Sequence, residues 1–334
     1  MAWLLAVIAA VAATALGIPY LRSASTDVRP IQFSLSPPQN VTLSSAANQT
    51  VAVVSPDGRR VAFIANRTGS APLLWVRSLD TPEDQPLAGT EAATWPFWSP
   101  NSRAIGFFTG GKLKTIDAAG GPALSLCDAI APRGGTWNRD GVIVFAPNAT
   151  SGLFKISATG GQATPLTSPD ASRKENAHVF PTFLPDGRRF LYLVSPSNTI
   201  WLGSLDSNEA TQLLNADSRA QYVAPGYLVF MRQRTLLAQP FDARHATLTG
   251  EAVPIAEPQG SSGWSVSDGA VLAYRTAPLS VRTQLTWFDR EGKAIGPIGP
   301  PGQYRNPTLS PDGTRLALES SDPQSRTQEP KTFG

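Results

Sequence analysis

The sequence predicts an all-β fold, a β-propeller of six to seven four-stranded blades with the last one incomplete, preceded by one N-terminal transmembrane helix. Three observations carry this expectation. A turn followed by an apolar strand recurs seven times, no helical 3.6-residue hydrophobic period of convincing length occurs after residue 21, and the chain starts with an uncharged apolar run.

That run, AWLLAVIAAVAATALGIPYL at residues 2–21, has the length of a bilayer-spanning helix. Eight of its residues are Leu, Ile or Val, and together they contribute about −4 kcal/mol of insertion free energy. Trp3 and Tyr20 stand where interfacial aromatics sit. A cleaved signal peptide is the rival reading, with Ser23, Ala24 and Ser25 as small cleavage-site residues, but no Lys or Arg precedes the apolar core. An uncleaved anchor is therefore expected. Arg22 alone would draw the following segment inward, so orientation stays open at this level. Residues 22–39, RSASTDVRPIQFSLSPPQ, read as a juxtamembrane linker that ends in a short strand where Ile31, Phe33 and Leu35 alternate with polar residues.

The repeats follow. They are VVSPDGRRVAFIA (53–65), FWSPNSRAIGFF (97–108), TWNRDGVIVFAP (136–147), FPTFLPDGRRFLYL (180–193), VAPGYLVFM (223–231), SVSDGAVLAYR (265–275) and TLSPDGTRLALES (308–320). Their turns lie near residues 57, 101, 140, 186, 226, 268 and 312 and recur every 39 to 46 residues. A second strand pattern follows most turns, as in LLWVRSLD (73–80) and IWLGSLD (200–206), and then a short third one such as QATPLT (162–167). Four short strands in such a period mark a propeller blade. The strand after each turn is almost continuously apolar, as it must be when neighbouring blades cover both its faces. Asp57, Asp186 and Asp312 each sit in a repeated turn, where Asp bonds its own backbone, so they are read as turn formers and not as acids of a catalytic site. The recurring tryptophans, among them Trp75, Trp95, Trp98, Trp137, Trp201, Trp264 and Trp287, read as blade packing, with an exposed aromatic platform as the sharper alternative. Gly-Gly pairs at 110–111, 120–121, 134–135 and 160–161 precede no helix and read as hairpin turns.

The seventh unit stops early, and residues 321–334 are polar and aperiodic. The expected organisation is an anchor at 1–21, a linker at 22–39, a propeller over 40–320 and a disordered or truncated tail at 321–334. Such a ring either closes as six blades, with 308–320 beside the early strands at 31–35 or 51–54, or remains an open arc with exposed strand edges.

The chain is 41% hydrophobic and 16% charged, with a net charge of +3 from Lys and Arg scattered singly, which disfavours nucleic-acid binding. Its one cysteine, Cys127, excludes an internal disulfide and reads as a small buried apolar residue. His178 and His245, the only histidines, lack the spacing of a metal site. No G-x-S-x-G elbow, H-R-D or D-F-G motif occurs. Accordingly no catalytic, cofactor-binding or metal residue is assigned. The expectation is a non-enzymatic propeller that binds a protein or small molecule at one face and meets the membrane through residues 2–21. Its rivals are a hydrolase with carboxylates at the channel mouth and a periplasmic accessory protein.

SPDGRRVAF (55–63) and SPDGTRLAL (310–318), with LWVRSLD (74–80), resemble the TolB-like, WD-related propeller repeat, and the likeness spreads over residues 50–320. VIVFAPNATSGLFKISATGGQATPLT (142–167), NAHVFPTFLPDGRRFLYL (176–193) and LTWFDREGK (285–293) resemble the C-terminal propeller of bacterial eukaryotic-like serine/threonine kinases. That resemblance implies a single-pass protein with the propeller outside the cytoplasm and a kinase domain before the span. It also makes this chain, which lacks the kinase motifs, a fragment of a receptor-type kinase, with a sensing role for the ring.

Overall fold

A computed structural model describes residues 41–43, 52–67, 70–81, 83–258, 263–269, 271–275, 283–288, 293–302, 304–311 and 315–320. The expected anchor at 2–21, the linker with its strand at 31–35, Asp312 and the tail at 321–334 lie outside these residues. Among the described residues no helix is long and apolar enough to cross a membrane. Among the described residues a single 3-10 turn, Ala171–Arg173, interrupts otherwise all-β structure.

The described residues form five full blades. Blade 1 runs Ala52–Val54, Arg60–Arg67, Leu73–Ser78 and Asp84–Pro86, with Val41–Leu43 added to its second strand. Blade 2 runs Thr94–Trp98, Ala104–Thr109, Lys112–Asp117 and Leu124–Asp128. Blade 3 runs Gly135–Trp137, Val142–Phe145, Phe154–Ser157 and Thr164–Pro165. Blade 4 runs Ala177–Phe183, Arg189–Ser195, Thr199–Ser204 and Thr211–Asn215. Blade 5 runs Gln221–Val223, Tyr227–Arg232, Thr235–Asp242 and Val253–Ala256. Within each blade the four strands named pair antiparallel in that order, as expected of meanders joined by tight turns.

The turns form for the reason their sequences suggest. Asp57 Oδ1 accepts the Arg59 amide at 3.0 Å, and Asp186 Oδ1 accepts the amides of Arg188 and Arg189 at 2.9 Å each. Burial alone would raise both carboxyls, but these hydrogen bonds hold them below the usual range. Gly58 and Gly187 follow in the left-handed region, at φ +72° and +68°.

Side chains from adjacent blades interlock into successive apolar layers. Val53, Ile105 and Phe107 fill the layer between blades 1 and 2, and Phe97, Phe108 and Phe145 the one between blades 2 and 3. A larger cluster containing Leu153, Phe190 and Phe230 spans blades 3 to 5. The all-round burial of the second strands, such as Val61–Ala65 and Phe190–Val194, follows from this stacking.

Ring closure departs from expectation. A two-stranded hairpin, Trp264–Val266 with Leu272–Tyr274, occupies the sixth position. Trp264 and Val266 pack on Val229 and Met231 of blade 5, while Val271 and Ala273 pack on the Val54 and Phe63 layer of blade 1. Ser265 Oγ accepts the Val54 amide at 3.1 Å across this junction. The sixth repeat thus closes the ring. The seventh does not: in the described ladders Tyr304–Leu309 pairs with Leu316–Ser320 alone. Apolar complementarity at the hairpin outweighs the sequence likeness of 308–320 to blade 1.

Candidate functional site

The six innermost strands surround a cavity of about 400 Å³, to which all five blades and the sixth hairpin contribute lining residues. Its walls are mainly aromatic rings, prolines and glycines. Two inner strands project the rings. In blade 2 the ladder slips between Thr94 and Phe97, and in blade 4 between Val179 and Thr182. Each slip is a β-bulge holding an aromatic residue with positive φ followed by proline: Trp95 at +50° before Pro96, and Phe180 at +53° before Pro181. Proline donates no ladder bond, so a bulge is where an inner strand tolerates it. Left-handed backbone is a true outlier for so bulky a residue and costs about 1–3 kcal/mol, which the surroundings must hold in place.

The two bulged residues meet across blade 3, with ring centroids 5.0 Å apart at 47°. The Phe180 amide donates to Arg133 O at 2.9 Å, and the Phe183 amide to Thr136 Oγ1 at 3.2 Å. Glycines make the room. A Cβ on Gly134 would stand 3.2 Å from the Phe180 ring, and one on Gly106 or Gly135 would enter the Phe97 ring at 2.2 or 2.6 Å. The Gly134–Gly135 pair is therefore no hairpin turn, as its sequence suggested, but a notch for two aromatic side chains. The other three pairs do lie at turns or strand ends, with positive φ throughout.

Polar groups cluster on the side of blade 5 and the hairpin. Arg219 is half-buried, stacks 4.8 Å over the Trp264 ring and donates to Trp264 O. Burial pushes its pKa down to about 10. Gln221 Nε2 donates to Val266 O at 3.1 Å, while its buried Oε1 has no hydrogen-bond partner. Asp268 reaches the same cavity, and enclosure by the protein raises its carboxyl against the opposing pull of Arg139. Asp268 is the one carboxylate among the described lining residues.

The sequence assigned no site residue, and the channel was missed with it. The readable signal was a shared Trp/Phe-Pro-x-Trp/Phe pattern, WPFW (95–98) and FPTF (180–183), at the same distance before a turn. Trp75, Trp98 and Trp264 are buried in packing, but Trp95, Trp98 and Trp137 also line the channel, which gives the aromatic-platform alternative part of its due. Cys127 is half-buried, and burial pushes its thiol up. His245 is exposed beside Asp242 at 2.7 Å. His178 is buried at the junction of blades 3 and 4, away from the channel lining.

No protein-family model matches the chain. A stretch of 147 residues is 29% identical to the uncharacterized peptidase YuxL of Bacillus subtilis, covering 43% of this chain and 22% of that protein. TolB from Acinetobacter baumannii shares the fold at TM-score 0.50 and 14% identity, over 64% of this chain and 56% of that one. The fold is a TolB-like β-propeller. A structure from a study of two prolyl endopeptidases aligns at TM-score 0.44 and 13% identity over 78% of this chain and 46% of that one, a likeness too weak to bear on chemistry.

The curated relative corrects one expectation. A protein that aligns with 147 residues of this chain at 29% identity is named a peptidase, so the reading of the chain as non-enzymatic does not stand. The missing nucleophile elbow made that reading attractive, but a motif search sees only local signatures.

Proposed function

We propose that the chain is a peptide-binding propeller that serves a peptidase-type hydrolase, held at the membrane by residues 2–21 with the ring outside the cytoplasm. The observation that carries this reading is the channel, whose lining brings together the Trp95–Phe180 pair, the prolines beside it and Gln221, whose buried Oε1 has no hydrogen-bond partner among the described residues. Rings and prolines suit apolar or prolyl side chains, and the free acceptor suits a backbone N–H. The volume lies in the range of small-ligand sites and fits a segment of a few residues. Formal charges in the lining are few, which disfavours polyanions. The peptidase relative adds the reaction class.

The test is binding of a peptide library to the detergent-solubilised full chain, read by tryptophan fluorescence. Saturable binding of apolar, proline-containing peptides is expected, with Trp95→Ala weakening it about tenfold, the loss of one aromatic contact of about 1.4 kcal/mol. Binding unaffected by Trp95→Ala would overturn the reading. An adjoining kinase reading frame in the genome, with peptides bound but never cleaved, would favour the sensor role implied by the segments at 142–167, 176–193 and 285–293.

A further inference from the structure

His178 anchors a buried polar array that nothing in the channel requires. Its Nδ1 lies 2.7 Å from Thr167 Oγ1 and its Nε2 3.1 Å from Glu175 Oε2. The Glu175 carboxylate can only accept, so Nε2 carries the proton that it receives; in the neutral ring Nδ1 then accepts the Thr167 hydroxyl proton, while Thr167 Oγ1 accepts the Leu153 amide at 2.9 Å. Glu175 also accepts from Arg173 Nε at 2.7 Å and from the Asp170 amide at 2.8 Å, and Arg173 pairs with Asp170 at 2.8 Å. The Tyr192 ring, from the next strand of blade 4, lies 4.8 Å from the imidazole. Thr167 and Leu153 belong to blade 3, His178 and Glu175 to the entry of blade 4. The array therefore locks two blades together, each hydrogen bond in it suited to a neutral imidazole.

Two residues further on stands Phe180. The main chain between them is held by the same junction, the His178 amide donating to Ser151 O at 3.0 Å and the Phe180 amide to Arg133 O. Phe180 itself is left-handed at φ +53°, a conformation its surroundings must hold in place. We propose that the Thr167–His178–Glu175 array is a pH-responsive positioning device, which holds Phe180 against Trp95 across the channel while His178 is neutral and releases it when His178 is protonated.

The physical reason is donor counting. A protonated imidazole must donate through Nδ1 as well, which turns the Thr167 hydroxyl proton away from Nδ1, its one hydrogen-bond acceptor among the described residues. Burial, the largest influence, lowers the His178 pKa; Glu175 opposes it and Arg173 assists. A histidine lowered in the folded state leaves stability intact above its unfolded pKa of about 6.5 and erodes it as pH falls from there toward the folded value. Glu175, also lowered on balance, adds to the loss further into the acid range.

The test needs no ligand, so failure of peptide binding leaves it intact. The full chain carrying 5-fluorotryptophan would be titrated from pH 7.5 to 5.0, with the Trp95 signal identified by Trp95→Phe and the His178 proton signal by removing the other histidine, His245→Asn. The Trp95 signal is expected to shift with the midpoint of His178, and Phe180 amide protection, corrected for intrinsic exchange, to fall at least tenfold. His178→Gln, which can accept from Thr167 and donate to Glu175 without titrating, is expected to keep the neutral-pH signal throughout. Thr167→Val should give the released signal already at pH 7.5, and it serves if the glutamine variant fails to fold. A Trp95 signal indifferent to the protonation of His178, or His178 staying neutral until the chain unfolds, would overturn the proposal.

Discussion

Blades 2 and 4 differ from blades 3 and 5 in how their inner strands meet the channel. Gly135–Trp137 and Gln221–Val223 pair one for one with their neighbours, whereas Thr94–Trp98 and Ala177–Phe183 each slip at a left-handed aromatic residue before proline. The extra residue of a bulge re-aims a side chain that a regular ladder would send into an inter-blade layer. The regular strand of blade 3 is plain because its neighbours are not, its glycines leaving space for Phe97 and Phe180. Alternation of bulged and plain strands is thus one packing solution shared among three blades.

The largest test of that comparison is Phe97→Ala, which empties the space between Gly106 and Gly135. A loss of about 3–5 kcal/mol is expected, read as a lower urea midpoint at unchanged slope. Truncating Tyr222, half-buried on the plain strand of blade 5, is expected to cost clearly less.

Gly135→Ala comes next, at about 1–3 kcal/mol, because its methyl group would overlap the Phe97 ring. Combined with Phe97→Leu, which shortens the ring side, part of that cost should return. Strict additivity of the two changes in a double-mutant cycle would mean that notch and ring are not partners.

The smallest expected effect is that of Pro181→Ala, about 0.4–1 kcal/mol, through the freer unfolded chain. A much larger loss would show that proline also excludes a competing ladder register in blade 4.

The blade turns were legible because their chemistry is local. Ser, Asp and Gly satisfy one another within five residues, as the Ser55 hydroxyl does in accepting the Arg60 amide at 2.9 Å. The apolar second strands were equally legible from their unbroken hydrophobic runs. Closure at 264–274 was not, since a repeat looks alike wherever it stands and only contact with Val54 and Phe63 selects it. Gly134 was misread for a related reason: what its missing side chain admits comes from residue 180, far along the chain. His178 announced itself only as an isolated histidine, because Thr167, which it meets, lies on another blade.

The hairpin that completes the ring joins positions 211 residues apart in the Val54–Ser265 bond. Each blade can assemble from neighbouring segments, but this junction must draw together the two ends of an almost finished arc. Loop-closure entropy grows only logarithmically, by about 0.6 kcal/mol per doubling of loop length, so distance delays this contact more than it weakens it. Contact order therefore ranks this junction as the most costly of the ring to form, and makes the hairpin of Trp264–Val266 and Leu272–Tyr274 the clasp of a bracelet.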